Sequence, residues 1–335
     1  MHWMKRLGPS LLIVIALSGA GVPARGAPPL DTVRLTFQPL AINGPLFIAE
    51  KAGFFEDQRI KVTWVPFNTL DQAIPILVQG QLDVTYGLSP AFFNAVARGE
   101  ALRIVADKGH VAGRGSLASL FVRKDLAGTM KSVADLKGKK IGLPGNYGGL
   151  AHFFLVKALA AAGLTFDQVT AVFMPATVVL AALQSGAVDA AFLGIPLDTQ
   201  ALERGIGVKL VDIADLVPGE HVSFVIYGRS LTVDHRPLGV RFMVAYLQGV
   251  RRYLEGPTPR NVAVVAEYTK TDPEIVRKTG WAPIYPDGFI DVNRARRYQD
   301  WLFDLQLISV RNPISTVIDT SFAEQARAIL GIASR

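Results

Sequence analysis

The sequence contains no cysteine among its 335 residues. This absence excludes disulfide bridges, cysteine-ligated zinc, thiol catalysis and a lipid-modified N-terminal cysteine. Charged residues are also sparse, at 19%, while half of the chain is hydrophobic. That balance excludes an intrinsically disordered chain. It favours a well-packed α/β protein, and the length predicts two domains or two lobes.

Motifs of enzymatic and metal chemistry are missing as well. The sequence has no Gly-x-Ser-x-Gly elbow, no phosphate loop and no His-x-x-x-His pair, and its five histidines lack metal-ligand spacing. The basic residues are scattered, without the aromatic interleaving that accompanies nucleic-acid binding. We therefore predict a protein that is not an enzyme, uses no metal or cofactor, and does not bind nucleic acid.

The N-terminus has the pattern of a secretory signal. Lys5 and Arg6 precede an apolar run at residues 11–17 (LLIVIAL), and small residues follow it. This run is shorter than the roughly 20 apolar residues that span a membrane. We predict a signal peptide at residues 1–26 and an exported protein. Its removal lowers the net charge from +7 to +4, because the segment holds three basic residues and no acidic one.

A repeated pattern divides the middle of the chain. The stretch KAGFFEDQRIKVTWV (51–65) and the stretch AAGLTFDQVTAVFM (161–174) both read as a helix ending in Ala-Gly, a turn ending in Asp-Gln, and a strand. A Gly-x-hydrophobic-Asp signature follows in each copy, at 80–83 and at 186–189. Each copy predicts a βαβαβ unit, hence two doubly wound sheets. A shared ligand cleft is expected between them, at the carboxyl ends of their strands.

The strand-to-helix loops supply the candidate ligand-binding residues, since helix starts offer unpaired backbone N–H groups. Alternatives stay open for three of them. Ser89, before Pro90, is expected to cap a helix with or without ligand contact, Tyr147 could be a cleft wall or a surface aromatic, and His152 could face the cleft or the core. The full candidate set is Gln38, Leu40, Asn43, Gly44, Thr69, Leu88, Ser89, Asn146, Tyr147, Gly148, His152, Gly194, Ile195 and Pro196.

Several longer stretches resemble a known family. They are residues 45–99, VADLKGKKIGLPG (133–145), SGAVDAAFLGIP (185–196), RFMVAYLQGVRRYLEG (241–256) and VIDTSFAEQARAILG (317–331). Together they resemble the periplasmic substrate-binding proteins of nitrate/sulfonate/taurine-type ABC importers, a family that also includes thiamine-pyrimidine-precursor binding proteins. The resemblance covers nearly the whole chain after the predicted signal.

The resemblance implies a two-lobed, type II periplasmic-binding-protein-like fold. Lobe 1 would span residues 28–118 and lobe 2 residues 119–222. Residues 223–335 would form a return strand and C-terminal helices that pack on lobe 1. The crossings between lobes would lie near 119–123 and 223–228. The family further implies a periplasmic monomer that delivers a small molecule to an ABC permease in the inner membrane.

The ligand class follows from the candidate loops, which contain no Arg or Lys. A small inorganic ion such as nitrate is therefore disfavoured, and a sulfonate, carboxylate or pyrimidine-like molecule with an apolar body fits better. Two alternatives remain. One is a TRAP-type or sensory solute receptor of the same architecture. The other is an enzyme similar to thiamine-pyrimidine synthases, whose cysteine-rich motif this chain cannot supply.

Overall fold

The computed structural model describes residues 29–67, 69–113 and 117–333. The predicted signal peptide at 1–26 therefore lies outside the described residues. Ten strands follow one another along the chain. They are β1 (Asp31–Phe37), β2 (Ile60–Pro66), β3 (Val84–Tyr86), β4 (Arg103–Asp107), β5 (Ala118–Arg123), β6 (Lys140–Pro144), β7 (Thr170–Met174), β8 (Ala190–Gly194), β9 (Gly207–Asp212) and β10 (Phe224–Tyr227).

Fourteen α-helices of the described residues surround these strands. They are α1 (Gly44–Lys51), α2 (Phe54–Asp57), α3 (Leu70–Val78), α4 (Pro90–Ala97), α5 (Leu150–Ala161), α6 (Val179–Ser185), α7 (Leu197–Glu203), α8 (Ile213–Leu216), α9 (Arg236–Tyr253), α10 (Pro259–Thr269), α11 (Pro273–Lys278), α12 (Val292–Asp304), α13 (Ile314–Val317) and α14 (Ser321–Leu330). None of the helices in this part of the chain combines the length and apolarity of a membrane span.

The strands form two five-stranded sheets with the orders β2-β1-β3-β10-β4 and β7-β6-β8-β5-β9. In the first sheet β1 pairs in parallel with β2 and β3, and in the second β6 pairs in parallel with β7 and β8. The predicted α/β fold with two sheets is thus confirmed. Each sheet also contains an antiparallel strand, β10 or β5, which the parallel repeat did not predict.

The repeated aspartate makes the same contacts in both sheets. The carboxylate of Asp83 accepts a hydrogen bond from the Arg34 N–H at 2.8 Å, and its own N–H donates to the Arg34 carbonyl at 3.0 Å. Asp189 pairs with Lys140 in the same two ways, at 2.9 Å and 2.8 Å. Each aspartate thereby fastens the start of the third parallel strand to the first, which explains why the signature occurs twice.

We expect Asp83→Asn to destabilise the fold more than Asp189→Asn. Asp83 also accepts from the Arg34 guanidinium at 2.7 Å and 2.9 Å and from the Ser230 hydroxyl at 2.6 Å, and its side chain is 6% exposed against 27% for Asp189. Urea unfolding should show a loss of about 2–4 kcal/mol for Asp83→Asn and about 1 kcal/mol for Asp189→Asn. Equal losses would contradict this account of the repeat.

The C-terminal helices pack in two different ways. Helix α9 packs on α1 of the first lobe and on α14. Helix α12 instead lies between the lobes: the Tyr298 ring contacts Phe93 of α4 and Phe153 of α5, and the Trp301 ring contacts His152 of α5. The expectation that all C-terminal helices pack on lobe 1 is corrected for α12, whose aromatic residues at i and i+3 share one face.

The crossings between the sheets lie before the positions that the resemblance suggested. The chain leaves the first sheet at the end of β4 and enters the second with β5, and it returns between β9 and β10. The stretches at 119–123 and 224–227 are therefore strands inside the sheets and not the crossings themselves. The lobe limits at 118/119 and 222/223 stay a prediction.

Candidate ligand-binding cleft

A cavity lies between the two sheets, at the carboxyl ends of their parallel strands. Loops after β1, β2 and β3 form one side, and loops after β6 and β8 form the other. Its volume is about 280 Å³, the space of roughly nine water molecules. This is the position at which doubly wound sheets bind ligands, and the volume suits a small organic molecule.

Most of the cavity wall is apolar. Its larger aliphatic and phenyl side chains are Leu40, Ile42, Phe67, Leu70, Leu88, Leu117, Leu150, Phe154, Phe192, Ile195, Leu197, Ile213 and Val222. They come from both lobes, so the cavity is complete only when the lobes lie against each other. Such a wall favours the hydrocarbon part of a ligand over a fully hydrated ion.

Ser89 places a buried hydroxyl at this wall. It precedes α4 in the N-cap position and is 4% exposed, as the Ser-Pro sequence predicted. Its hydroxyl does not bond the helix backbone, however, and no described residue accepts from it or donates to it. A buried hydroxyl that lacks a partner costs free energy, so Ser89 is available to bond a ligand.

Lys108 is a cavity residue that the sequence analysis missed. It follows β4 directly and is 1% exposed; its Nζ lies 4.2 Å from the centre of the Tyr86 ring and 3.4 Å from the Ile42 carbonyl oxygen. Burial lowers the pKa of Lys108 to about 7, against a smaller opposing effect of the neighbouring Asp107. The detectable signal was a lysine that directly follows an apolar strand, at the carboxyl end where ligands bind.

Asp71 and Asn146 join the two lobes at the cavity wall. The Asn146 amide, from the loop after β6, donates to a carboxylate oxygen of Asp71 on α3 at 2.5 Å. The other carboxylate oxygen of Asp71 is buried and finds no hydrogen-bond partner among the described residues. Asn146 was among the predicted residues, whereas Asp71 was not, because nothing in its local sequence distinguishes it from a helix-start aspartate.

Eight of the fourteen candidate residues meet at this cavity. They are Gln38, Leu40, Thr69, Leu88, Ser89, Asn146, Gly194 and Ile195. The sequence brings them together because all follow the carboxyl ends of parallel strands in the two copies of the repeat. Their contact with a ligand remains a prediction.

The other six candidates lie outside the cavity wall. Asn43 is fully buried, and its amide donates to the Gln38 carbonyl and the Tyr86 hydroxyl at 2.8 Å and 2.9 Å. Gly44 begins α1 against Tyr253, whose ring would lie 2.6 Å from an added Cβ. Both residues thus pack beneath the cleft in this structure, and their contact with a ligand stays a prediction.

Three further candidates form an aromatic corner beside the cavity. The half-exposed Tyr147 ring lies 4.4 Å from that of His152, between ring centres. The Nδ1 of His152 accepts from the Gly148 N–H at 3.0 Å, and burial lowers the pKa of His152 to about 4. The His152 ring packs on Phe166 and Trp301, as in the second of the two alternatives, and a ligand contact of His152 stays a prediction. The sixth candidate, Pro196, lines a neighbouring cavity beside α7 and α11.

A buried carboxylate fastens the two crossings together behind the cavity. Asp107 accepts from the Nδ1 of His221 at 2.8 Å, contacts the Nδ1 of His110 at 3.3 Å, and accepts from the Tyr285 N–H at 2.9 Å. The Asp291 N–H donates to the Nε2 of His221, so the proton of that ring lies on Nδ1. Burial opposes the ionised form, but the two histidines hold the pKa of Asp107 below its ordinary value.

Comparison with known proteins assigns the family. The chain belongs to the NMT1/THI5-like family, whose model matches residues 43–259. A binding protein of Brucella abortus (strain 2308) is 28% identical over 226 residues, which are 67% of each chain. The matched relatives are thus binding proteins.

Solved structures share the fold over nearly the whole chain. The periplasmic aliphatic sulphonate binding protein SsuA from Escherichia coli matches with a TM-score of 0.68 and 22% identity, over 88% of this chain and 99% of that one. The periplasmic nitrate-binding protein NrtA from Synechocystis PCC 6803 matches with a TM-score of 0.74 and 14% identity, over 92% and 91%. The desulfurization enzyme DSZB also matches, with a TM-score of 0.66 and 17% identity, over 90% and 99%. The fold by itself therefore does not separate binding from catalysis.

Proposed function

We propose that this chain is the solute-binding component of an ABC importer. It would enclose a small organic molecule, such as a sulfonate, a carboxylate or a pyrimidine, between its lobes and deliver it to a permease in the inner membrane. The observation that carries the proposal is the cavity itself. It is mainly apolar, it lies at the strand ends of both lobes, and it contains the buried hydroxyl of Ser89, which has no hydrogen-bond partner among the residues that the structure describes. The family and its binding-protein relatives support it.

The same proposal includes binding without catalysis. The binding-protein relatives support this part of the proposal. We further propose export by the signal at residues 1–26, a periplasmic location and a monomer. A monomer suits a protein whose two lobes close on one molecule. Size-exclusion chromatography with light scattering tests the last point, and a dimer would contradict it.

The exported protein should be stabilised by an organic ligand of the right class. In a thermal-shift screen of aliphatic and aromatic sulfonates and carboxylates, pyrimidines and nitrate, we expect at least one organic compound to raise the Tm by about 5 °C at 100 times its Kd. Nitrate should raise the Tm less, because it has no hydrocarbon part for the apolar wall to bury. The radius of gyration from small-angle X-ray scattering should fall when that compound is added.

Two results would argue against the proposal. Stabilisation by nitrate alone would exclude the organic ligand class. Turnover of a stabilising compound, followed by NMR over hours with wild-type protein, would replace binding by catalysis.

A further inference from the structure

We propose that the Lys108 ammonium recognises the charge of the ligand. It selects an organic monoanion, a carboxylate or a sulfonate, and stays protonated when that anion is bound. This inference rests on the proposed solute-binding function and names the chemistry that the cleft recognises. It also revises the expectation, drawn from the loops alone, that the cleft has no cationic side chain.

The placement of Lys108 is the first argument. Among the described residues of the cavity wall it is the one cationic side chain, and it is 1% exposed. Within the described ranges no carboxylate forms an ion pair with it; its contacts are the Tyr86 ring and a long 3.4 Å approach to the Ile42 carbonyl. The contact of a desolvated cation with one aromatic ring offsets only part of the free energy that burying an ammonium costs. A ligand anion would supply the missing counter-charge.

The charged groups around Lys108 do not supply its counter-charge. Asp107 is adjacent in sequence, but its carboxylate is bonded to His110, His221 and the Tyr285 N–H, and it is not part of the cavity wall. The phenol of Tyr86 accepts from Asn43. Asp71 shares the cavity wall, where one of its carboxylate oxygens accepts from Asn146 and the other has no hydrogen-bond partner among the described residues. Within those residues it forms no ion pair with Lys108, so the counter-charge beside the ammonium is left to the ligand.

The cavity also provides a second side chain that can bind the anionic group of the ligand. The buried Ser89 hydroxyl has no partner among the described residues and belongs to the same wall, at the start of α4. A carboxylate or sulfonate oxygen can accept from both a hydroxyl and an ammonium, whereas a neutral amide carbonyl gains less from the charge. The remaining wall is apolar, so the body of the ligand would be hydrocarbon.

Proton linkage follows from the burial of Lys108. Because its pKa is lowered to about 7, the side chain loses part of its charge near neutral pH in the ligand-free protein. A bound anion favours the ammonium and raises that pKa, so binding takes up a proton. The affinity should therefore be highest below pH 7 and should fall as the pH rises above 7.

The first test needs no ligand. The burial of charged Lys108 lowers the free energy of unfolding. This loss is largest below about pH 7 and declines as the pH rises towards 10.5, the ordinary pKa of lysine in the unfolded chain. Lys108→Met should therefore raise the Tm relative to wild type by about 3 °C or more at pH 6, and by less at pH 9. Lys157→Met is the matched control, since Lys157 lies 5.3 Å from the Phe153 ring but is exposed. Its Tm difference should be small and the same at both pH values. An equal Tm difference at both pH values for Lys108→Met would overturn the proposal.

The second test compares acids with their neutral amides. The probes are benzenesulfonate with benzenesulfonamide, and hexanoate with hexanamide, titrated calorimetrically at pH 6 to 9. For wild type we expect the better acid to bind at least 100-fold more tightly than its amide at pH 6. Its affinity should fall by up to about tenfold per pH unit above pH 7. Calorimetry in buffers of different ionisation enthalpy should show about half a proton taken up per ligand at pH 7 and nearly one at pH 8.

The variants decide whether Lys108 is the cause. Lys108→Met should lose the preference for acids and the proton uptake, while Lys108→Arg should keep the preference and lose the pH dependence, because arginine stays charged. An acid preference retained by Lys108→Met would overturn the inference, as would an absence of acid binding in wild type. If amides bind wild type and Lys108→Met equally and still contract the protein in scattering, the solute-binding function stands and only this inference fails. If no probe or screened compound binds, the proposed function fails as well.

Discussion

Gly148→Ala should weaken ligand binding by about 10- to 100-fold while leaving the fold intact. An added Cβ at Gly148 would lie 2.6 Å from Cγ of Pro90, at the start of α4, and 2.7 Å from Cδ1 of Leu307, after α12. Pro90 belongs to the first lobe and Gly148 to the second, so opening the cleft relieves the overlap. A penalty of about 1.4–2.7 kcal/mol on the closed state gives that range of affinities. Calorimetry with the compound found in the ligand screen measures it.

Backbone strain has to be separated from this overlap. Gly148 adopts φ +81°, where any Cβ costs about 1–2 kcal/mol whatever its surroundings. Gly163→Ala is the matched control: Gly163 follows α5 in the same lobe at φ +72°, and an added Cβ there meets nothing within 4 Å. It should lose stability without losing affinity. If both variants bind equally well, the loop at Gly148 does not govern closure. A radius of gyration for Gly148→Ala that no longer contracts with ligand would support the mechanism.

Asp107→Asn should lower the free energy of unfolding by about 3–5 kcal/mol, the largest stability loss that we expect for a single side chain here. In the wild type the Nδ1–H of His221 donates to the Asp107 carboxylate. In Asp107→Asn an amide nitrogen at that position would put a second donor against the Nδ1–H. Turning the amide satisfies His221 only at the expense of the Tyr285 N–H, since both bond to different oxygens of Asp107. Moving the His221 proton to Nε2 instead sets it against the Asp291 N–H. Urea unfolding at pH 7 measures the loss.

The pH dependence has a definite sign. The pKa of Asp107 is held below its ordinary value of 3.8 in the folded protein, so the carboxylate contributes stability above that value and loses it as the pH falls through it. The difference in unfolding free energy between wild type and Asp107→Asn should shrink below about pH 4. Asp125→Asn is the control. Asp125 is 63% exposed in its pair with Arg123, so its replacement should change stability little. Similar losses for the two variants would contradict a stabilising role for the buried contacts of Asp107 with His221 and Tyr285.

The sequence predicted those features that repeat at short range. Gly80 and Gly186 both adopt a left-handed backbone, at φ +68° and +78°, where glycine is favoured, and each stands three residues before a strand-fastening aspartate. Such local demands leave the same residue types at the same spacing in both copies. The eight cavity residues were predictable for that reason, because the repeat fixes which loops follow the strand ends.

Features that depend on contacts between distant segments could not be predicted. The position of Lys108 after a strand was visible in the sequence, but its burial was not, because that depends on the Tyr86 ring and the Ile42 carbonyl from other segments. The contact of α12 with both lobes depends on how the C-terminal helices return. The sequence correctly predicted Ser89 at the position before helix α4. It did not predict that the Ser89 hydroxyl makes no hydrogen bond to the helix backbone, because that depends on the full geometry of the cavity.

The position of β10, antiparallel between β3 and β4, has a consequence for the order in which the lobes can fold during synthesis. Strand β10 separates β3 from β4 in the first sheet, although more than a hundred residues of chain intervene before it is available. Until residues 224–227 have emerged, the N-terminal segment holds a three-stranded sheet with an open edge and an unpaired β4. The second sheet, by contrast, can assemble from one continuous stretch, β5 to β9. A chain that emerges from its N-terminus would thus complete its middle lobe first. The N-terminal lobe would remain open, and a target for chaperones and proteases, until synthesis has passed β10.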